Sequence, residues 1–219
     1  PYGFFSGEVS KFEVLNEVLT AQDVTDRYAA GQGKSGSPEA AGLELIGSTA
    51  QTFVRANGDF TNFGDNVDYD RSAGEDFAVE IDVNFASSPG SNVYDFVGKG
   101  ANNFSSGWAI LAYTAGGTPS LRMFANTSAA INGDLGFNAA FNPVIGQWYT
   151  IKAIWRASGA QELWIDGVKA AERTMPSSYL PPVDSSYDLK AGEVFIEAGK
   201  KRSFDGQIRN LVIYKGNDV

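Results

Sequence analysis

A stretch rich in aspartate and asparagine, residues 57–70, holds the side chains best suited to bind a metal ion. It packs four aspartates and three asparagines into fourteen residues. Ca2+ takes about six to eight oxygen ligands from such side chains and from turn carbonyls, so we predict a calcium site with Asp59, Asp65 and Asp68 as ligands. The spacing matches no EF-hand loop, and an alternative stays open. In that alternative the stretch joins two short strands, and its Asn and Asp side chains bond their own backbone.

Three polar loops carry the residue types that bind sugars. Aromatic rings stack on the apolar face of a sugar, while amides, carboxylates and backbone groups bond its hydroxyls. One loop leads into a tryptophan, a second is rich in asparagine, and a third combines tyrosines with hydroxyl side chains. The sequence therefore predicts a glycan site drawn from these loops: Asn102, Asn103, Trp108, Asn132, Asp134, Tyr179 and Tyr187.

Histidine and cysteine are absent from the sequence. Their absence excludes a Ser-His-Asp triad, imidazole and thiolate metal sites, cysteine nucleophiles and disulfides. A glycosidase needs two carboxylates about 5 to 9 Å apart, and Glu80 and Asp82 are the one alternating acidic pair in a well-defined predicted strand. The solvated outer face of that strand explains the pair, so we predict no catalytic residues and a protein that is not an enzyme.

The charge balance is acidic, with 17 Lys and Arg against 26 Asp and Glu and a formal charge of -9. A negative field repels phosphate backbones, so nucleic acid is not a predicted partner. The short basic run at residues 200–202 is interpreted as a solvated turn between strands. No apolar run approaches the roughly 18 residues that a bilayer span requires, and we predict no membrane span.

Apolar residues alternate with polar ones over most of the chain, which is the period of a half-buried strand. Residues 77–85 and 149–155 show it most clearly, and Asp166-Gly167 supplies the positive φ angles of a tight hairpin over 161–174. Further predicted strands lie at 93–99, 107–113, 120–125, 193–198 and 204–214. We interpret Trp148 and Trp155 as core residues. Short strands separated by glycine-rich turns predict an all-β, antiparallel two-sheet sandwich.

The N-terminal part departs from this pattern. Thr20 and Asp23 have capping-box spacing, Val24 and Tyr28 are four residues apart, and Gly31 provides a stop, which predicts one short helix. The small, polar residues 32–41 are interpreted as a linker. The predicted organisation is therefore a strand and helix at 1–31, a linker at 32–41 and a sandwich at 42–219.

A ten-residue pattern occurs twice. The segment at 5–14 returns at 204–213 with a constant offset and with the same Phe-x-Gly opening. In the second copy the apolar residues Ile208, Leu211 and Ile213 are spaced by three and then by two. Such a change of phase within a strand predicts a β-bulge.

The ordered set of these segments resembles the laminin-G-like, concanavalin A-like lectin superfamily. The resemblance rests on DFAVEIDVNF, GWAILAY, GQWYTIKAIW followed by QELWIDGVKAAE, and the closing strand FDGQIRNLVIYKG, in that order over 42–219. The segment FFSGEVSKFEVLNEVLTAQDVTDRYAAG resembles the closing strand and the helix that follows it in the family. The resemblance implies a jelly-roll sandwich. The family usually carries acidic residues where this chain has Arg209 and Asn210, which argues against a family-type calcium site.

The leading functional hypothesis is a non-catalytic carbohydrate-binding or adhesion module that binds a polysaccharide or surface glycan. We expect an extracellular, cell-surface or virion-associated location. One alternative is a structural protein of a virion or surface layer, such as a capsid decoration or tail component, in which residues 1–31 pair with a neighbouring subunit or repeat as a homo-oligomer. A weaker alternative is a polysaccharide hydrolase or lyase.

Overall fold

A computed structural model describes residues 42–72, 74–89, 93–100, 107–115, 118–126, 136–175, 186–194, 202–216 and 219. The chain divides into two units, Pro1–Ala41 and Gly42–Val219, and every described residue belongs to the second unit. The helix predicted near residues 20–31, the first copy of the repeated strand and the linker at 32–41 lie outside the described ranges.

Thirteen strands of the described residues form two antiparallel sheets. The first sheet has the order β1 (Leu43–Ile46), β13 (Gly206–Lys215), β4 (Phe77–Phe85), β9 (Trp148–Trp155), β10 (Ala160–Ile165) and β11 (Val168–Thr174), with β2 (Gln51–Phe53) also paired to β13. The second has the order β3 (Thr61–Gly64), β12 (Leu189–Ala191), β5 (Tyr94–Gly100), β6 (Gly107–Ala115), β7 (Thr118–Asn126) and β8 (Phe137–Ala140). The predicted all-β, antiparallel two-sheet sandwich is confirmed.

Val67–Tyr69 forms a complete 3-10 turn within the described ranges. None of the described residues belongs to a helix of the length and hydrophobicity that a bilayer span requires.

Strands with a clear alternating pattern form where the sequence predicts them. In β4 the five odd-numbered residues Phe77, Val79, Ile81, Val83 and Phe85 all lie in the core. The hairpin between β10 and β11 turns at Asp166 and Gly167, which have φ angles of 50° and 76°, as a tight hairpin requires.

The structure also departs from the predicted strand pattern. Glu193 and Val194 belong to no strand, and the rest of the strand predicted at 193–198 is not described. Sequence analysis did not predict β1, β2, β3, β8 and β12, because strands of three or four residues are too short to show an alternation of apolar and polar residues.

Two groups of aromatic side chains fill the space between the sheets. Phe85, Phe96 and Phe204 pack edge to face, with ring centroids 5.2 to 5.6 Å apart. Phe77, Trp108 and Trp155 form the second group, with centroids 5.4 to 6.1 Å apart. Each such pair contributes about 0.5–1.5 kcal/mol beyond the area that it buries, so these groups tie the sheets together.

The bulge predicted from the apolar spacing of β13 is confirmed. The register between β13 and β4 shifts between Arg209 and Val212, and Asn210 has a φ of 49°, a left-handed conformation that asparagine tolerates better than most residues. The amide of Asn210 donates to the carbonyl of Gly47 at 2.9 Å. At this point the edge partner of β13 changes from β1 to β2.

A buried ion pair joins two segments that are distant in the sequence. Arg202 donates from Nε and Nη2 to the two carboxylate oxygens of Asp95, at 3.1 and 2.8 Å, and both residues are buried. The interpretation of residues 200–202 as a solvated turn is therefore wrong for Arg202. The bidentate geometry lets both charges be buried, because each satisfies the other.

We expect Asp95→Asn to lower the free energy of unfolding by about 3 kcal/mol or more, because it removes the charge that Asp95 supplies to the buried Arg202 guanidinium. Urea unfolding of the full chain measures the change. Lys169→Gln is the control. It removes a surface ion pair with Glu172, and a surface substitution of this kind changes stability by about 0.5 kcal/mol or less. Equal effects of the two substitutions would contradict the assignment.

Candidate binding site at the edge of the six-stranded sheet

Five of the residues predicted to bind a glycan are outside the part of the chain that the structure describes. They are Asn102, Asn103, Asn132, Asp134 and Tyr179, and their assignment stays a prediction. The two that are described, Trp108 and Tyr187, lie in opposite environments.

Trp108 is a core residue, which corrects its assignment as a sugar-stacking ring. The side chain is 1% exposed and packs edge to face against Phe77. Its indole nitrogen donates to the carbonyl of Tyr69 at 2.9 Å. Trp108 lies in phase with the core residues Ile110 and Ala112 of β6, and this phase places its ring between the sheets.

The three aspartates predicted as calcium ligands are not brought together into a site. No group of three or more acidic side chains suited to a metal ion occurs among the described residues. Asp59 accepts a hydrogen bond from the Val54 amide, and Asp65 pairs with Lys99, while Asp68 is exposed. The stretch 57–70 instead contains turns before and after β3, including the 3-10 turn Val67–Tyr69, and its side chains bond the backbone as in the alternative interpretation.

Asparagine side chains close those turns on their own backbone. Asn62 accepts from the amide of Gly64 at 2.8 Å, and Asn66 accepts from the amide of Asp68 at 3.0 Å. These bonds stabilise the start of the 3-10 turn and the end of β3, which is the usual use of such residues in turns.

The acidic pair Glu80 and Asp82 lies on the outer face of β4 and is engaged in structural contacts. Glu80 pairs with Lys152 at 3.6 Å. Asp82 accepts from the Thr150 hydroxyl at 2.6 Å, from Asn210 at 2.8 Å and from Arg209 at 3.1 Å. These contacts fit the outer-face interpretation of the pair.

Pairing of β3 with β12 joins the Asn/Asp-rich stretch to the end of the tyrosine-containing loop. Lys190 of β12 lies opposite Asn62 of β3. The amide of Asn62 donates to the carboxylate of Asp188 at 2.8 Å across this pair. Because Leu189 and Ala191 are buried in the core, alternation directs Lys190 to the outer face of the sheet.

Two large aromatic side chains are exposed beside this polar pair. Phe60 is 53% exposed and Tyr187 is 45% exposed. The ammonium of Lys190 lies 5.5 Å from the centroid of the Phe60 ring, within the range of a cation–π contact. We call Phe60, Asn62, Tyr187, Asp188 and Lys190 the edge site.

A buried lysine supports the edge site from below. Lys99 is fully buried, and its ammonium lies 2.8 Å from one carboxylate oxygen of Asp65 and 2.8 Å from one of Asp70. Leu189 pairs with both Lys99 and Gly64, so these ion pairs hold the chain just after β3 against β5. A buried charge is tolerated only with such partners.

Arg71 fixes the far end of the same stretch. It is buried, and its Nη2 donates to the carbonyl of Arg156 at 3.2 Å. Burial lowers the pKa of the Arg71 guanidinium from its ordinary value, while the carboxylates of Asp76 and Glu75 oppose that change. The stretch 57–70 is thus anchored to one sheet through Lys99 and reaches the other through Arg71.

The edge site has the chemistry of saccharide recognition. An exposed ring offers its face to the apolar side of a sugar, and an amide, a carboxylate and an ammonium supply donors and acceptors for hydroxyl groups. Sequence analysis named Tyr187 but missed Phe60, Asn62 and Lys190 as binding residues. The density of Asn and Asp around residue 60 was a signal, but the β3–β12 pairing that completes the site leaves no pattern in either strand.

A family model decides the relationship of the chain to known proteins. The model of the concanavalin A-like lectin/glucanases superfamily matches residues 55–217. The chain belongs to this superfamily. The resemblance inferred from the strand motifs is confirmed, and the edge site lies within the matched residues. A comparison with curated proteins finds no match.

Solved structures with the same fold are distant in sequence. A putative carbohydrate binding protein from Bacteroides ovatus ATCC 8483 has a TM-score of 0.56 and 13% identity, over 78% of this chain and 44% of that chain. Botulinum neurotoxin type C, whose cell entry depends on two ganglioside molecules, has a TM-score of 0.54 and 13% identity, over 80% and 42%. This chain thus spans less than half of either matched chain.

A third structure is matched over most of its own length. The CBM40 of the Ruminococcus gnavus IT-sialidase, bound to α2,3-sialyllactose, has a TM-score of 0.50 and 10% identity, over 76% of this chain and 91% of that chain. At identities this low, the similarities show the concanavalin A-like fold.

We expect Trp108→Phe to lower the free energy of unfolding by about 1–3 kcal/mol, because the buried carbonyl of Tyr69 loses its indole donor. Glycan binding by the folded variant should equal that of the wild type. Urea unfolding and a glycan array measure the two effects. Lost binding with unchanged stability would show that Trp108 contacts the ligand after all.

Proposed function

We propose that the domain is a non-catalytic carbohydrate-binding module whose ligand contacts the edge site. The observation that carries the proposal is the exposure of two aromatic rings, Phe60 and Tyr187, beside the hydrogen-bonded pair of Asn62 and Asp188. Aromatic side chains that lie beside a few fixed polar groups are the combination that ligand-binding sites use.

The expected mode of binding follows from the polar contacts. Asp188 has one oxygen bonded to Asn62. Its second oxygen has no partner among the contacts of the described residues, and we expect it to accept from a sugar hydroxyl. The ammonium of Lys190, which lies beside the Phe60 ring, has three donors. A sugar that stacks on Phe60 or Tyr187 would place its hydroxyls within reach of these groups.

Relatives by fold support a saccharide ligand. Two of the similar structures are named as a putative carbohydrate binding protein and as a carbohydrate-binding module bound to sialyllactose. A third belongs to a toxin whose cell entry depends on gangliosides. By analogy, we infer a polysaccharide or surface glycan as the partner of this chain and a location outside the producing cell.

The side chains of the edge site favour binding over hydrolysis. Asp188 is the single carboxylate among its five residues, whereas glycoside hydrolysis divides the acid and nucleophile or base roles between two carboxylates. Asp82 is held by three donors, and Glu80 pairs with Lys152. Glu80→Gln, compared with the wild type, tests hydrolysis by reducing-end release from polysaccharides, and we expect no release from either protein.

We expect Phe60→Ala and Tyr187→Ala each to weaken glycan binding roughly twofold to tenfold, the effect of losing a stacking contact of about 0.5–1.5 kcal/mol. A glycan array identifies a bound saccharide, and titration calorimetry then gives the affinities.

Val168→Ala is the control for these two variants, because Val168 is also an exposed apolar residue but lies on β11 of the other sheet. It should bind like the wild type. An array without signal, or equal affinities for all four proteins, would refute the edge site.

A second candidate function is structural assembly through strand addition in a virion or surface layer. The observation that favours it is the free edge of β11, which pairs only with β10 among the described strands. An open edge presents unpaired amides and carbonyls to a neighbouring chain. The segment 5–14, which repeats the sequence pattern of β13, is a suitable partner in sequence.

We expect light scattering of the full chain to show oligomers if this second function operates, and Val168→Lys to dissociate them, because a lysine on an edge strand disfavours pairing. A monomer at all concentrations would rule out assembly by this route. It would leave the carbohydrate-binding proposal intact.

A further inference from the structure

The outer face of the seven-stranded sheet carries a guanidinium that is held in one plane and offers two free donor groups. Arg209 lies 4.1 Å from the centroid of the Trp148 ring, and its Nε donates to Asp82 at 3.1 Å. Its side chain is 36% exposed. Among the described contacts, neither of its Nη groups has a protein partner.

The bulge in β13 produces this arrangement. Asn210, in its left-handed conformation, donates from its side chain to the same Asp82 oxygen that accepts from Arg209. The other Asp82 oxygen accepts from Thr150. Asp82 is thus fixed by three donors, and it in turn fixes the plane of the Arg209 guanidinium.

Trp148 fixes the guanidinium from the other side. Sequence analysis places Trp148 in the core, but the structure corrects this: Trp148 is half-buried and lies out of phase with the core residues Tyr149 and Ile151 of β9. A guanidinium stacked on an indole face keeps its N–H edges free for in-plane bonds. An arginine so held is ready for a bidentate bond with a planar anion.

Neutral hydrogen-bonding side chains surround the free edge. Gln207 lies opposite Asn84 on β4, and Asn84 lies opposite Trp148 on β9. Thr52 of β2 lies on the other side of Gln207, and its hydroxyl accepts from that amide at 3.4 Å. This row crosses four strands next to Arg209, and it offers amide and hydroxyl groups that suit the hydroxyls of a sugar.

We propose that Arg209, stacked on Trp148 and oriented by Asp82, binds the carboxylate of an acidic saccharide. Asp82 compensates part of the charge of Arg209, which suits a single carboxylate better than a doubly charged phosphate. The inference rests on the proposed function only in taking the ligand to be a saccharide, and it adds a second site on the other sheet.

The experiment titrates the full chain with an oligogalacturonate and with its methyl ester, which lacks the charge. We expect the acid to bind and Arg209→Lys to weaken its binding roughly tenfold or more, because an ammonium does not reproduce a bidentate charged bond. Lys169→Gln is the matched control, since Lys169 lies 5.3 Å from the Trp164 ring centroid on the same sheet. It should bind within about twofold of the wild type, the small effect of one exposed charge.

The Nε and Nη signals of Arg209 in NMR spectra of the wild type provide a readout that does not depend on how a variant folds. They should shift on addition of the acid and stay in place with the ester. Equal binding of acid and ester, or equal effects of Arg209→Lys and Lys169→Gln, would overturn the proposal. So would equal binding of a peptide with a free C-terminal carboxylate, which would make the site a general carboxylate site.

Different results would refute the proposal for the edge site and the proposal for the Arg209 site. If the edge site is wrong, Phe60→Ala and Tyr187→Ala leave glycan binding unchanged, whatever Arg209 does. If the Arg209 site is wrong, Arg209→Lys leaves oligogalacturonate binding unchanged while the Phe60 and Tyr187 variants still weaken array binding.

Discussion

The crossing of the chain from one sheet to the other, at residues 202–206, is the constraint on which the rest of the structure depends. Arg202 is bound to Asp95 of the six-stranded sheet, and Ser203 forms a bridge with the same residue. Phe204 then enters the aromatic group between the sheets. At Gly206, a side chain would lie 2.0 Å from the carbonyl oxygen of Asn84, so only glycine lets β13 approach β4. The strand before the crossing, β12, carries Lys190 of the edge site on the six-stranded sheet. The strand after it, β13, carries Arg209 on the seven-stranded sheet. The crossing therefore places the two candidate binding surfaces on different sheets.

Much of the fold is predictable because long strands with one buried face repeat every two residues. The fold class, the hairpin at Asp166-Gly167 and the bulge at Asn210 all follow from local spacing. A bulge is visible in sequence because it changes the phase of the apolar residues Ile208, Leu211 and Ile213, all of which must reach the core. Short strands such as β3 and β12 contain too few residues to show an alternating pattern. Their pairing also joins residues that are more than a hundred positions apart in the sequence.

The candidate sites were less predictable, because the same residue types serve the core and the surface. Trp108 and Trp148 are both polar-tipped rings in strands, and a shift of one residue in phase puts the first inside and the second outside. The burial of Lys99 and Arg202 could not be predicted from the sequence either. Asp70, which bonds Lys99, is 29 residues away, and Asp95, which bonds Arg202, is 107 residues away. The alternation of apolar residues along one strand identifies the residues of the core. A binding site combines side chains from two strands, and the sequence of either strand does not show which strand it pairs with.

The positions of the two proposed surfaces bear on how such a domain would hold a glycan. They lie on different sheets, and in a sandwich the outer faces point away from each other. Each offers only a few stacking and hydrogen-bonding contacts, worth on the order of 1 kcal/mol apiece, against an association cost of about 4–15 kcal/mol. We therefore expect either surface alone to bind a glycan weakly. A polysaccharide with repeated sugars could bind several such domains at once. Multivalent binding of this kind raises the overall affinity without any new contact in a single site. A rigid sandwich with surfaces on opposite sides is suited to this, because one domain can then bridge two saccharide chains.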